Sequence, residues 1–222
     1  MVLQDCKLTY FGIPGRGEAS RLALTLGGIK FTDHRISFAD WKGIKPTMTW
    51  GSVPVLTLAD GTVIAQQRAI LRLIGKETGT YPTDSVAAAK VDEFMDAVED
   101  ISSQTTKVGQ GLEKEAKEAA RKAACEEGGV LHALLTKIDK FIAGNSTSPF
   151  VVGDTVTIAD LFVYCAASTF ISGMFDGIPT DALDGFDNIV KLRKAVRSHD
   201  SVSKYYDNLD SSIKLPASFG PL

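Results

Sequence analysis

LTYFGIPGRGEASRLAL, residues 8–24, runs from a strand through a glycine-rich turn into a helix. Cys6, Leu8 and Tyr10 alternate with Lys7, Thr9 and Phe11, the period of two expected of a short strand. Ala19, Leu22, Ala23 and Leu26 then fall on one side of a helix that stops at Gly27-Gly28. Between the two lie Gly12, Pro14, Gly15 and Gly17, either a cradle for a phosphate or a frame around Tyr10. The spacing is G-x-x-G-x-G rather than the G-x-G-x-x-G of a dinucleotide turn, and no acidic residue ends a following strand where a ribose would need it. A tight turn that leaves room beside Tyr10 fits the glycines better.

Further along, Phe31–Ile36 reads as a second strand, 40–48 as a short polar helix or turn, and 53–58 as a third strand. Ala59-Asp60-Gly61 is a hairpin signal leading to a fourth strand at Val63-Ile64, after which a helix runs from Gln66 to about Lys76. The order βαβαββα is that of a thioredoxin-like domain, a sheet with helices on both faces. Such a domain carries a proline, often cis, just before its third strand. Pro54 occupies that place and would leave the backbone of Val53 free to bond an extended peptide.

Residues 79–85, with Tyr81-Pro82-Thr83, break the pattern, and the chain beyond them is helical in period. The expected organisation is therefore an α/β domain at 1–79, a linker at 80–85 and an all-α domain at 86–222. In the first helix of that domain Val91, Phe94, Met95, Val98 and Ile101 form one stripe. Asp92, Asp96, Glu99 and Asp100 gather on another side, either a solvated face or a shared acidic site at a subunit interface. Residues 113–127, rich in Glu, Lys, Arg and Ala, read as an exposed, salt-bridged helix. Thr157 and Asp160 have the spacing of a capping box, which makes Asp160 a structural residue rather than a catalytic one. Later helices are expected near 186–198 and 201–208, followed by an irregular tail, 211–222, containing Pro216 and Pro221.

The 222-residue chain is 44% hydrophobic and 23% charged, with a formal net charge of -3. These values suit an ordinary globular protein and give no electrostatic case for nucleic acid. Three widely spaced cysteines, Cys6, Cys125 and Cys165, suggest neither a disulfide framework nor a zinc site, and they point to a reducing, cytoplasmic setting. No apolar run has the roughly 18 residues of a membrane helix, and Met1 is not followed by a signal-peptide pattern.

The segments LTYFGIPGRGEASR, DHRISFADWKGIKPTM, GSVPVL, AQQRAILRLIG, VDEFMDAVEDI and VTIADLF, in this order and spread over nearly the full chain, resemble the cytosolic glutathione S-transferases. The likeness is strongest to the sigma class, which includes haematopoietic-type prostaglandin D synthases and S-crystallins. The resemblance implies the glutathione transferase fold, a homodimer, and conjugation of the glutathione thiolate to hydrophobic electrophiles. It implies that Tyr10 donates a hydrogen bond to the glutathione sulfur, with Arg16 strengthening the local field. Trp41 and Lys45 would hold the glycine end of glutathione, Val53 beside Pro54 its cysteinyl backbone, and Gln66 and Gln67 its γ-glutamyl carboxylate. Asp100 would reach the partner subunit's glutathione near its α-amino group. Phe11, Gly12, Ile13, Lys107 and Phe162 would line the electrophile pocket, and Asp96, Glu99 and Asp100 match a divalent-ion position of the prostaglandin-synthase branch. Three departures stand out: Gln67 replaces the usual serine, Ser52 stands where a basic residue often occurs, and Lys107 lies where the family has a bulky aromatic. The same scaffold also serves glutathione-dependent isomerases and crystallins with little activity.

Overall fold

The computed structural model describes residues 2–220; Pro221 and Leu222 of the expected tail lie outside them. Contacts divide the chain into two compact units, one of residues 1–88 with 198–215 and the other of 89–197 with 216–222. The sequence pattern assigned 198–215 to the helical domain, whereas in the structure it groups with the first unit. A helix of this kind carries no mark of which neighbour covers its apolar face, since periodicity reports the face alone.

The first unit holds β1 (Cys6–Phe11), α1 (Gly15–Leu26), β2 (Phe31–Ile36) and α2 (Trp41–Ile44), the last followed by a 3-10 turn at Lys45–Thr47. β3 (Val55–Thr57), β4 (Val63–Ala65) and α3 (Gln67–Thr78) complete the order read from the sequence. The sheet order is β2-β1-β3-β4, with β1 parallel to β2 and antiparallel to β3, and β3 antiparallel to β4. β1 is flanked on both edges, and Leu8, Thr9 and Tyr10 are all buried, so its alternation is weaker than that of a one-sided strand. β3 begins two residues later than the apolar run, because Pro54 has no N–H to give to a ladder. The Val53–Pro54 peptide is cis.

α1 is buried from Gly17 to Leu24 and packs against α3 on one side. It also packs against α9 (Asp200–Asp207), the helix of the returning segment. Val202 and Tyr206 of α9, 1% and 8% exposed, are its buried residues.

The second unit is built from α4 (Ser85–Lys107), which starts at the end of the first, with α5 (Lys114–Cys125), α6 (Val130–Ala143), α7 (Ile158–Phe170) and α8 (Asp187–Arg197). α7 is buried along nearly its whole length and forms the core of this unit, with α8 packed on it. α5 buries only Ala124, as its charge-rich sequence predicts. The tail is less irregular than its composition suggests: Ala217–Phe219 makes a 3-10 turn, and Phe219 is fully buried edge-on to Tyr164. Arg193 and Arg197 of α8 donate to the carbonyls of Ser218 and Phe219. No helix among the described residues is long and apolar enough to cross a membrane.

Candidate active site

Tyr10 is 6% exposed at the end of β1. Its hydroxyl accepts a hydrogen bond from the backbone N–H of Arg16 at 2.9 Å, which leaves the phenolic proton for another acceptor. Burial raises its pKa, and this outweighs the opposing effects of the Arg16 N–H and of the Arg16 and Arg21 charges. Tyr10 is therefore a neutral donor at physiological pH.

The glycines of the turn are explained by this ring. A Cβ on Gly15 would stand 2.6 Å from the Tyr10 hydroxyl oxygen, and one on Gly17 would stand 2.5 Å from Cδ1 of the ring. Gly15 also has a φ of +41°, in the region that favours glycine. Gly12 has nothing within 4 Å of such a position, so it lies open next to Phe11.

Strand register brings the other candidates into line. Thr9 pairs with Val55 and Val55 with Ala65, so one residue further Tyr10, Pro54 and Gln66 stand side by side across one end of the sheet. Gln66 has a φ of 74°, a conformation that a residue with a Cβ holds only where its surroundings impose it. It leads directly into α3, whose first N–H groups have no intrahelical partner and whose dipole favours an anion. Gln67 is the first residue of that helix. The same end of the sheet thus combines a neutral hydroxyl donor, an unladdered backbone at Val53 and a helix N-terminus.

Trp41 opens α2 and meets Phe11 edge-to-face at 5.4 Å, while Phe11 meets Tyr10 edge-to-face at 5.5 Å. Phe11 therefore bridges the two candidates in space. Phe38 stacks on its other side at 4.4 Å although it is 65% exposed. The sequence reading did not single out Phe38, which follows β2 in a polar stretch. Lys45 is exposed, with its stem within 3.6–3.9 Å of the Cβ position of Gly51, on the segment leading to Val53. Arg16 and Ile13 flank the turn, exposed and half-buried respectively.

The residues expected from the second unit are placed there separately. Lys107 is exposed at the last position of α4, and Phe162 is 3% exposed within α7. Asp96 and Asp100 are exposed on α4 and Glu99 half-buried. Among the described residues no group of three or more His, Cys, Asp or Glu side chains is arranged to hold a metal ion. Asp160 forms the capping box expected of it: Oδ2 accepts from the N–H and hydroxyl of Thr157 and Oδ1 from the N–H of Val151, each at 2.7 Å.

Beneath the turn lies a cluster that the sequence reading missed. Arg21 of α1 has no exposed surface. It donates to both oxygens of Asp33 at 3.0 and 3.1 Å, to Glu18 at 3.0 Å, and to the carbonyls of Ile13 and Phe11 at 3.0 and 2.9 Å. Burial disfavours its charge, but Glu18 and Asp33 outweigh that cost and raise its pKa. A signal was available, since Glu18 and Arg21 stand one turn apart beside the apolar residues Ala19, Leu22 and Ala23.

Residues 99–208 match the family described as "Glutathione S-transferase, C-terminal domain". The chain is 32% identical to "Glutathione S-transferase 1" of Ascaris suum, over 90% of this chain and 94% of the relative. It is 31% identical to "Hematopoietic prostaglandin D synthase" of Gallus gallus, over 91% and 96% respectively. Among solved structures, the glutathione S-transferase from Ascaris lumbricoides superposes with a TM-score of 0.76 at 30% identity, covering 95% of this chain and all of that one.

Proposed function

The chain belongs to the glutathione S-transferase family, and from that membership we propose that it conjugates glutathione to small hydrophobic electrophiles, with Tyr10 holding the sulfur as a thiolate. The observation that carries this reading is the row of Tyr10, Pro54 and Gln66 across the end of the sheet. An extended tripeptide laid along it meets the Tyr10 hydroxyl with its thiol, the backbone of Val53 with its cysteinyl residue, and the start of α3 with its γ-glutamyl carboxylate. Trp41 and Lys45 take the glycine end, where a lysine suits a carboxylate. Tyr10, kept neutral by burial, donates its proton to the sulfur; a hydrogen bond to a charged group contributes about 1.5–3 kcal/mol, enough to lower a thiol pKa by about one to two units.

The thiolate then attacks the electrophilic carbon, displacing its leaving group or adding across its double bond. Phe11, Gly12 and Ile13 are proposed to contact that substrate, with Phe162 and Lys107 as the candidates from the second unit, the lysine as a polar wall. The reading includes a homodimer in which Asp100 approaches the partner's glutathione, and a cytoplasmic setting, which three cysteines outside any disulfide suit.

The test is the thiolate absorbance of bound glutathione as a function of pH. In Tyr10→Phe the thiol pKa rises by about one to two units and kcat/KM near neutral pH falls by about ten- to 100-fold. In the native protein burial pushes the Tyr10 pKa above its ordinary value, so the phenol stays protonated through neutral pH and the pH profile there reports the thiol. An unchanged thiol pKa in Tyr10→Phe sinks the mechanism. The similarity to the Gallus gallus prostaglandin D synthase supports a second reading, a glutathione-dependent isomerase. Glutathione is consumed one for one in conjugation and regenerated in isomerisation, so product stoichiometry separates the two.

A further inference from the structure

The Arg21 cluster extends beyond α1 and β2. Asp33, which takes the Nε of Arg21, also takes the Nε of Arg35 at 2.7 Å, and Nη2 of Arg35 donates to the hydroxyl of Tyr205 at 3.2 Å. Tyr205 lies on α9, in the segment that returns to the first unit. A continuous line of charge-assisted bonds therefore runs from α9 through β2 to the turn after Tyr10. Two carboxylates and two guanidiniums balance along it.

What Arg21 grips is the turn itself. Phe11 and Ile13, whose carbonyls accept its two Nη groups, flank Gly12 and hold the start of the segment whose far end, the Arg16 N–H, holds the Tyr10 hydroxyl. The guanidinium carbon also lies 5.7 Å from the centre of the Tyr10 ring. The two carbonyls satisfy guanidinium donors that burial would otherwise leave without acceptors, so the backbone of the turn is tied directly to the cluster.

We propose that Arg21 is a positioning residue for Tyr10, and that Tyr205 sets that position from the C-terminal segment through Arg35 and Asp33. This rests on the reading of Tyr10 as the thiolate donor. When the line is cut, the Phe11–Ile13 segment relaxes, the Arg16 N–H shifts from the hydroxyl, and the phenolic proton is no longer aimed at the sulfur. The fork of Arg21 matters as well as its charge, since one carbonyl on each Nη and a carboxylate on Nε cannot all be met by a lysine.

The test uses the full-length protein and four variants: Tyr205→Phe, Asp33→Asn, Arg21→Lys and Tyr10→Phe. For each, the pH dependence of the bound glutathione's thiolate absorbance is recorded beside glutathione affinity and thermal unfolding. Tyr205→Phe removes one oxygen atom from a half-buried ring and is the variant whose folding is least at risk. The expected result is a thiol pKa raised by about 0.5 unit in Tyr205→Phe and about one unit in Asp33→Asn and Arg21→Lys, about three- and tenfold less thiolate at neutral pH. Glutathione affinity stays within about twofold, and adding Tyr205→Phe to Tyr10→Phe raises the pKa no further. A purely structural cluster lowers the unfolding temperature and leaves the thiol pKa of the folded variants where it was, which overturns the proposal. If Tyr10→Phe raises the pKa and Tyr205→Phe does not, this inference falls alone; if Tyr10→Phe has no effect, the reading beneath it falls too.

Discussion

At the scale of single residues, Tyr10 is defined as much by what is missing around it as by its own hydroxyl. Gly15 and Gly17 leave clearance on two sides of the ring, and neither could carry a side chain without meeting it. In Gly17→Ala the new methyl stands 2.5 Å from a buried ring that has little space to retreat into, so the ring and its hydroxyl move. We expect a loss of about 1–3 kcal/mol of stability from overpacking, and a bound-glutathione thiol pKa raised by about one unit or less. A crystal structure of the variant with the Tyr10 ring in its original place would contradict this. Gln66 illustrates the opposite case, a residue with a Cβ kept at positive φ at the head of α3. Composition and spacing cannot show that conformation, because nothing in the identity of a glutamine calls for it.

The elements were more legible than the contacts between them. The alternation in β1, the hairpin at Asp60-Gly61 and the apolar stripes of α4 follow from local periodicity, and so does the box that opens α7. That box yields a sharp prediction. Every partner of the Asp160 carboxylate is a donor, so in Asp160→Asn the amide nitrogen faces an N–H or a hydroxyl proton wherever it turns. Denaturant unfolding is expected to show a loss of about 2–4 kcal/mol, with the thiol pKa of bound glutathione unchanged. A stability within about 0.5 kcal/mol of the native value would mean that the cap is dispensable. α6 was not marked in the sequence because its N-cap is Gly129, with no side-chain cap to announce a start. Arg21 escaped notice for a different reason: its partner Asp33 comes from a neighbouring strand, and helix periodicity records only which face a residue occupies.

At the scale of the molecule, the first unit is discontinuous: it consists of 1–88 closed by 198–215. Its core includes Val202 and Tyr206 of α9, which bury their side chains where α1 lies. Full burial of two such side chains contributes about 3–6 kcal/mol, a large share of the roughly 5–15 kcal/mol that typically holds a domain together. A chain ending at residue 197 is therefore expected to lose its cooperative melting transition; a melting temperature within about 2 °C of the native one would refute this. Tyr10, Pro54 and Gln66 were each singled out in the sequence, but their alignment in one row follows from the strand register that the structure supplies. The bond from Arg35 to Tyr205 was not legible there, since it depends on a return of the chain across 170 residues. The backbone passes between the two units three times, at 88/89, 197/198 and 215/216. The halves are thus not exchangeable modules: a recombinant joined to a related gene at residue 88 alone sets a foreign α9 against the resident α1. Viable hybrids must inherit 198–215 together with 1–88, and evolutionary change in α9 should follow that of α1 and β2 more closely than that of the helices beside it in the sequence.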